Sequence, residues 1–204
     1  LARPRWTPGV AQLVRLGIPG ILAGGITQIN IVAGTIIASL SAGAVSYLYY
    51  ADRVYQLPLG VVGIAIGVVL LPEIARQVRA DRKDLAFHAQ NRSFEFAVLY
   101  LQAAVALVVA ADPIVEVMFE RGAFGPKDTM KTAAALTAFG VGLPAFVYVK
   151  VFSPAFFARM DTKTPMWIGA ATVATNIALA LALWPFLEHV AVAAATSAAG
   201  WLNA

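Results

Sequence analysis

The 204-residue chain is 60% hydrophobic and 13% charged, with a mean hydropathy of +0.75, well beyond the roughly 45–50% apolar content of soluble domains. That composition excludes an ordinary soluble domain and reads as a membrane protein. The net charge of +4 is small for a nucleic-acid binder, and the absence of cysteine removes disulfide frameworks and thiolate metal sites.

Taken in chain order, apolar runs long enough to cross about 30 Å of hydrocarbon predict five spans and the start of a sixth: 12–40, 43–74, 94–119, 131–159, 164–187, and 190 to the end. Pro19, Pro58, Pro144 and Pro154 lie inside these runs, where each removes a backbone donor and can bend its helix. The segment begins without Met or a signal-peptide pattern and stops inside an apolar run, so it is expected to be an internal piece of a longer polytopic protein. "LPEIAR" (71–76) and "SPAFFAR" (153–159) echo each other, which either an internal repeat or a shared helix-stop requirement explains.

Charge orients the runs. Arg3, Arg5, Arg15, Arg76, Arg79, Arg82, Lys83, Arg92, Arg159 and Lys163, ten of the fifteen Lys and Arg residues, fall on one side. By the positive-inside rule that side, with the amino end, is cytoplasmic. Trp6, Trp167 and Trp184 fall near the predicted interfaces.

Two cations remain inside the runs, Arg53 and Lys150. A charge near the bilayer centre costs at least ~2.5–3.5 kcal/mol, so it faces a partner or an aqueous cavity and is a candidate functional residue. Arg53 stands about 15 Å into its helix, and Lys150 stands nine residues before Arg159. Asp52 is the adjacent counter-charge, but neighbouring helical residues point about 100° apart. Asp52 is therefore expected to bond another helix, leaving the Arg53 guanidinium to an anionic ligand, for which its planar fork suits phosphate. Structural ion pairing of Arg53 and snorkelling of Lys150 are the competing readings.

Other polar groups have plainer expectations. The tyrosines at 47, 49, 50 and 55 either line a polar wall or sit at an interface. Gln28, Asn30 and Asn176 are expected to hydrogen-bond between helices, with Asn30 and Asn176 kept as candidate ion or packing sites. The glycines of "GILAGG" (20–25) and "GVVGIAIG" (60–67) are read as helix-packing positions. No phosphate-binding loop or His-Glu-x-x-His pair is present, and His88 and His189 fall on opposite sides, so no metal site and no enzyme is expected. A membrane phosphatase or transferase would need His, Asp or Arg clustered at one face.

"YYADRVYQLPLGVVGIAIGVVLLPEIAR" (49–76) and "VKVFSPAFFARMDTKTP" (149–165) resemble the MurJ/MviN family of bacterial lipid II flippases, within the multidrug/oligosaccharidyl-lipid/polysaccharide exporter superfamily. The similarity runs from about Gly9 to the end. The resemblance implies an all-α polytopic transmembrane bundle, one six-helix lobe of a two-lobe exporter fold, covering about helices 7–12. It implies that residues 1–204 form the second lobe, that the first lobe and final helices lie elsewhere in the protein, and that the location is the bacterial inner membrane. It also implies a transporter moving the undecaprenyl-diphosphate-linked peptidoglycan precursor by alternating access, with lipid II, membrane lipids and the first lobe as partners and no nucleic acid. Arg53 then meets the substrate diphosphate in a central cationic cavity, with Asp52 beside it and Lys150 as a further basic position. No cofactor is implied, and coupling is to membrane potential or an ion gradient. A family cation site would fall here on Gly34, Asn176 and Ala180, which lack its acidic groups. The alternative is a related polysaccharide-lipid or multidrug exporter.

Overall fold

The computed structural model describes residues 8–65, 71–80 and 100–204, with isolated positions between 82 and 98; in α1, α2 and α3 some positions are described for the backbone alone. Arg3, Arg5, Trp6, Gly67, Lys83 and Arg92 lie outside the described residues. The elements are α1 (Pro8–Ala38), α2 (Ala44–Ala65), α3 (Leu71–Arg79), α4 (Leu101–Val109), α5 (Ala111–Phe119), α6 (Pro126–Ala158), α7 (Lys163–Leu187) and α8 (Val190–Asn203). No strand occurs among the described residues.

The helix α6 is the hub, packed against α2, α3, α4, α5 and α8, while α1 packs against α7 and α7 against α8. Leu136, Leu143, Val147 and Val151 of α6 are at most 1% exposed, a helical stripe that supplies the centre of the core. In a membrane, lipid is as apolar as the core, so close van der Waals approach must hold helices together. The sequence provides it with small residues: Ala191, Ala193, Ala195, Ala199 and Gly200 on α8 are buried where that helix packs on α6 and α7. A methyl group added at Gly142 would stand 2.7 Å from Ser197 Cα, and one at Gly200 would stand 2.7 Å from the Phe146 ring. Two bonds fix the register, Ser197 Oγ donating to the Ala138 carbonyl at 2.6 Å and Trp201 Nε1 to the Val141 carbonyl at 3.0 Å.

These contacts relocate the packing glycines. An added methyl at Gly25 or Gly60 meets nothing within 4 Å, so those two face open space. Small-residue spacing identifies a smooth stripe but not the neighbour it faces, and α2 turns Gly60 away from α6.

The span expected at 94–119 is broken. Among the described residues, α6 and α7 are each long and apolar enough to cross a membrane, and α4 with α5 passes only as one span bent by 76°. The bend falls at Ala110, just before Pro113, a proline outside the four named above. Pro113 has no N–H for the Val109 carbonyl and its ring crowds that group, whereas the first turn of a new helix tolerates it. The helices run on through Pro58, Pro144 and Pro154.

Turns at one end join α1 to α2, α5 to α6 and α7 to α8. Gly43 has φ +79°, and a side chain there would also strike the Tyr47 ring. Gly125 precedes α6, where its N–H donates to Asp128 Oδ2 at 2.9 Å, and the Tyr47 hydroxyl donates to Asp128 Oδ1 at 2.9 Å. Buried His189 places Nε2 2.9 Å from the Lys131 carbonyl and its ring 5.5 Å from Tyr47. Together these contacts clamp α2, α6 and the start of α8 at the glycine-turn end.

The opposite, basic end carries Arg76, Arg79, Arg159 and Lys163. There Asp161 organises the start of α7: Oδ2 accepts from the Thr164 hydroxyl at 2.7 Å, and Oδ1 from the Thr164 and Lys163 N–H groups at 3.0 and 3.1 Å. The Thr164 hydroxyl first, then these N–H donors, hold the Asp161 carboxyl below its ordinary value. A depressed folded value stabilises the fold above the ordinary carboxylate range, and that contribution is lost as pH falls through the folded value. Asp161→Ala is therefore expected to lower the thermal midpoint in detergent at pH 7. The difference from the unsubstituted protein should shrink as pH falls below the ordinary carboxylate range, and a difference that does not change with pH would remove Asp161 as the cause.

Candidate functional site on the uncovered face of α2

One face of α2 is core and the other is bare. Ala44, Leu48, Ala51, Val54 and Tyr55 are buried, whereas Tyr49, Arg53, Gln56, Leu57 and Gly60 are exposed. The buried set follows the helical repeat and consists of residues that pack on α6, so the charged set must point away from the lobe. The Arg53 guanidinium carbon lies 4.6 Å from the Tyr49 ring centroid, a cation–π contact made one turn away on the same helix. Tyr49, Asp52, Arg53 and Gln56 thus form a polar stripe along one side of α2.

Asp52 does not bond another helix. It is half-buried and accepts a hydrogen bond from the Gln56 side-chain amide four residues on, the pairing that helix geometry favours. Among the described residues no neighbouring helix hydrogen-bonds Asp52, and the carboxylate finds its donor locally. Among the described residues the ion pair is Arg76–Glu73 at 2.6 Å, far from this stripe in sequence. Among the described residues Arg53 has no hydrogen-bond or ion-pair partner, which leaves its N–H donors for a ligand. Gln56 is a member of the stripe that the sequence reading omits, although its i,i+4 spacing from Asp52 signals it.

Lys150 is not brought to Arg53. It is half-buried on α6. The Tyr47–Asp128 hydrogen bond and the Tyr55–Phe139 ring stack at 5.4 Å set α2 and α6 side by side and parallel. Arg53 then stands near residue 136, and Lys150 lies about 20 Å further toward the basic end at 1.5 Å per residue.

The asparagines are brought together. Buried Asn176 of α7 donates Nδ2 to Asn30 Oδ1 of α1 at 2.7 Å, and its own Oδ1 accepts from the Thr196 hydroxyl of α8 at 3.5 Å. Such a pair ties three helices where an unmet amide would be costly. Beside it, Ala180 is buried, and a methyl added at Gly34 would touch Val192 Cγ1 at 3.4 Å. The pair thus forms the interhelical hydrogen bond expected of such amides. Thr196, its third member, was missed because a threonine among alanines carries no signal of its partner.

The tyrosines divide. Tyr49 covers Arg53, and Tyr47 and Tyr50 stand at the glycine-turn end. Tyr55 belongs to neither a wall nor an interface: it is 5% exposed between Phe139 and Phe146, and its hydroxyl, like that of Thr132, has no partner among the described residues.

Comparison with known proteins places this arrangement. The sequence profile described as lipid II flippase MurJ matches residues 1–204. A probable lipid II flippase MurJ of Rhizobium meliloti (strain 1021) is 53% identical over 203 residues, covering 99% of this chain and 38% of that protein. A solved lipid II flippase MurJ in an inward closed conformation superposes with TM-score 0.80 at 30% identity, over 98% of this chain and 43% of that one. A transporter of the wider superfamily from Pyrococcus furiosus, at 20% identity, superposes with TM-score 0.79 over 98% of this chain and 46% of its own length, a likeness of fold alone. The chain spans less than half the length of these proteins.

Proposed function

The chain belongs to the lipid II flippase MurJ family, and from that premise we propose that it is one transmembrane lobe of a transporter moving lipid II from the inner to the outer leaflet of the bacterial cytoplasmic membrane. The observation that carries the proposal is the Arg53 stripe, a cation exposed on a face of α2 that the lobe leaves bare, its guanidinium braced by Tyr49 of the same helix. A polyprenyl-diphosphate headgroup cannot cross hydrocarbon unaided, because an unpaired charge there is expensive. A cavity between two lobes, lined by fixed positive charge and opening alternately to each side, lowers that barrier without making or breaking a bond. Arg53 donates its planar fork to the diphosphate, Asp52 and Gln56 position the stripe, and Lys150 offers positive charge nearer the basic end.

The basic end is cytoplasmic in this reading, from the bias of Lys and Arg. The first lobe of the same protein supplies the opposite cavity wall, and membrane lipids surround both. Transport draws on membrane potential or an ion gradient. The Asn30–Asn176 bond supports a packing role for that pair rather than a coupling site.

The test is rescue. The full-length parent should restore growth of cells depleted of their own lipid II flippase, and purified parent in proteoliposomes should move lipid II across the bilayer. Absence of both at normal membrane levels would replace this reading with the related-exporter one.

A further inference from the structure

A second site stands at the glycine-turn end. A cleft of about 610 Å³ opens between the start of α2, the end of α5 and the loop leading into α6, within the size range of small-ligand sites. Its walls include Tyr47, Tyr50, Phe119 and Phe124, with Ser46 and Arg121 as polar groups. The Tyr50 ring lies 4.8 Å from Phe119 and 5.4 Å from Phe124, centroid to centroid, so the aromatic wall is braced from both sides.

We propose that this cleft holds the sugar portion of the lipid-linked headgroup whose diphosphate meets Arg53; the inference rests on that reading of Arg53. Three observations point there. Ser46, Tyr50 and Arg53 follow one another at helical spacing along α2, so the cleft and the cation share a stripe, and Ser46 stands only about 10 Å from Arg53 along the axis. Aromatic faces carry negative charge, which suits the C–H faces of pyranose rings. The charge of the cleft selects against a cationic occupant. Asp128, at its edge, already has both oxygens engaged by Tyr47 and Gly125, and Lys131 Nζ sits 5.5 Å from the Tyr47 ring centroid. Arg121 gives one N–H to the Met118 carbonyl and has others left for a carboxylate on the sugar or its peptide.

The test compares two probes on the purified full-length parent: a short-chain prenyl diphosphate, and the same lipid carrying an amino-sugar disaccharide with its peptide. Ala123→Trp places a ring into the cleft from an exposed position, and Arg121→Gln removes the cation. Both variants are expected to weaken the sugar-bearing probe about tenfold and leave the bare diphosphate unchanged, with unaltered thermal midpoints, whereas Arg53→Ala weakens both probes. If the cleft variants weaken both probes alike, the cleft holds lipid tail and the proposal is wrong; no effect on either probe also overturns it. If Arg53→Ala spares both probes while the cleft variants still select against the sugar, the diphosphate assignment fails and the sugar site stands.

Discussion

Arg53→Ala in the full-length parent is expected to abolish rescue of flippase-depleted cells while leaving the protein folded at normal membrane levels. Arg53 is exposed, holds no ion pair among the described residues, and touches Tyr49 of its own helix, so its removal disturbs no helix contact. On the proposed function, what is lost is a charge-assisted contact to the diphosphate, about 1.5–3 kcal/mol, which corresponds to about ten- to hundredfold in occupancy or transport rate. Arg53→Lys keeps the charge but not the fork, and is expected to fall between alanine and the native residue in a proteoliposome transport assay. Equal transport by the alanine variant would make Arg53 structural or redundant. Full activity of the lysine variant would show that charge alone suffices.

The second large effect concerns the fold. A methyl at Gly142 would strike Ser197 Oγ and stand 2.7 Å from Ser197 Cα, and the second of these atoms is backbone that no rotamer change can move. Gly142→Ala must therefore push α8 away from α6, weakening the Ser197–Ala138 bond and the Trp201–Val141 bond together. Overpacking of this kind costs about 1–3 kcal/mol, read as a drop in thermal midpoint in detergent. Gly169→Ala is the control, since nothing lies within 4 Å of a methyl there, and its midpoint should hold or rise slightly because alanine favours helix. Equal midpoints for the two variants would mean that α6 and α8 are not held as closely as the glycine implies.

The contrast between Arg53 and Gly142 shows what the sequence makes legible. A cation within an apolar run is visible at once because its cost depends on depth alone, and the helix assignments rest on equally local signals. α7 spans Lys163–Leu187 where the hydropathy reading places 164–187, and α6 starts at Pro126, five residues before the predicted run, because Gly125 and Asp128 build its first turn. Contacts between distant residues are a different matter. Gly142 meets Ser197 fifty-five positions later, and nothing in either neighbourhood announces the other. The cleft is assembled from residues 43–50 and 118–128, and Tyr55 enters the core because α6 offers it Phe139 and Phe146. Asp52 was misread for the opposite reason: its partner was local, but a search for an interhelical bond passed over Gln56.

The bend at Ala110 gives the lobe a ledge. α4 and α5 both pack on α6, and the turn of 76° between them carries α5 sharply off the line of α4. Asp112 and Glu116 lie one helical turn apart on its exposed surface, and Val117, 83% exposed, stands beside them. The ledge therefore presents charge and bare apolar surface together, next to the Phe119 that walls the cleft.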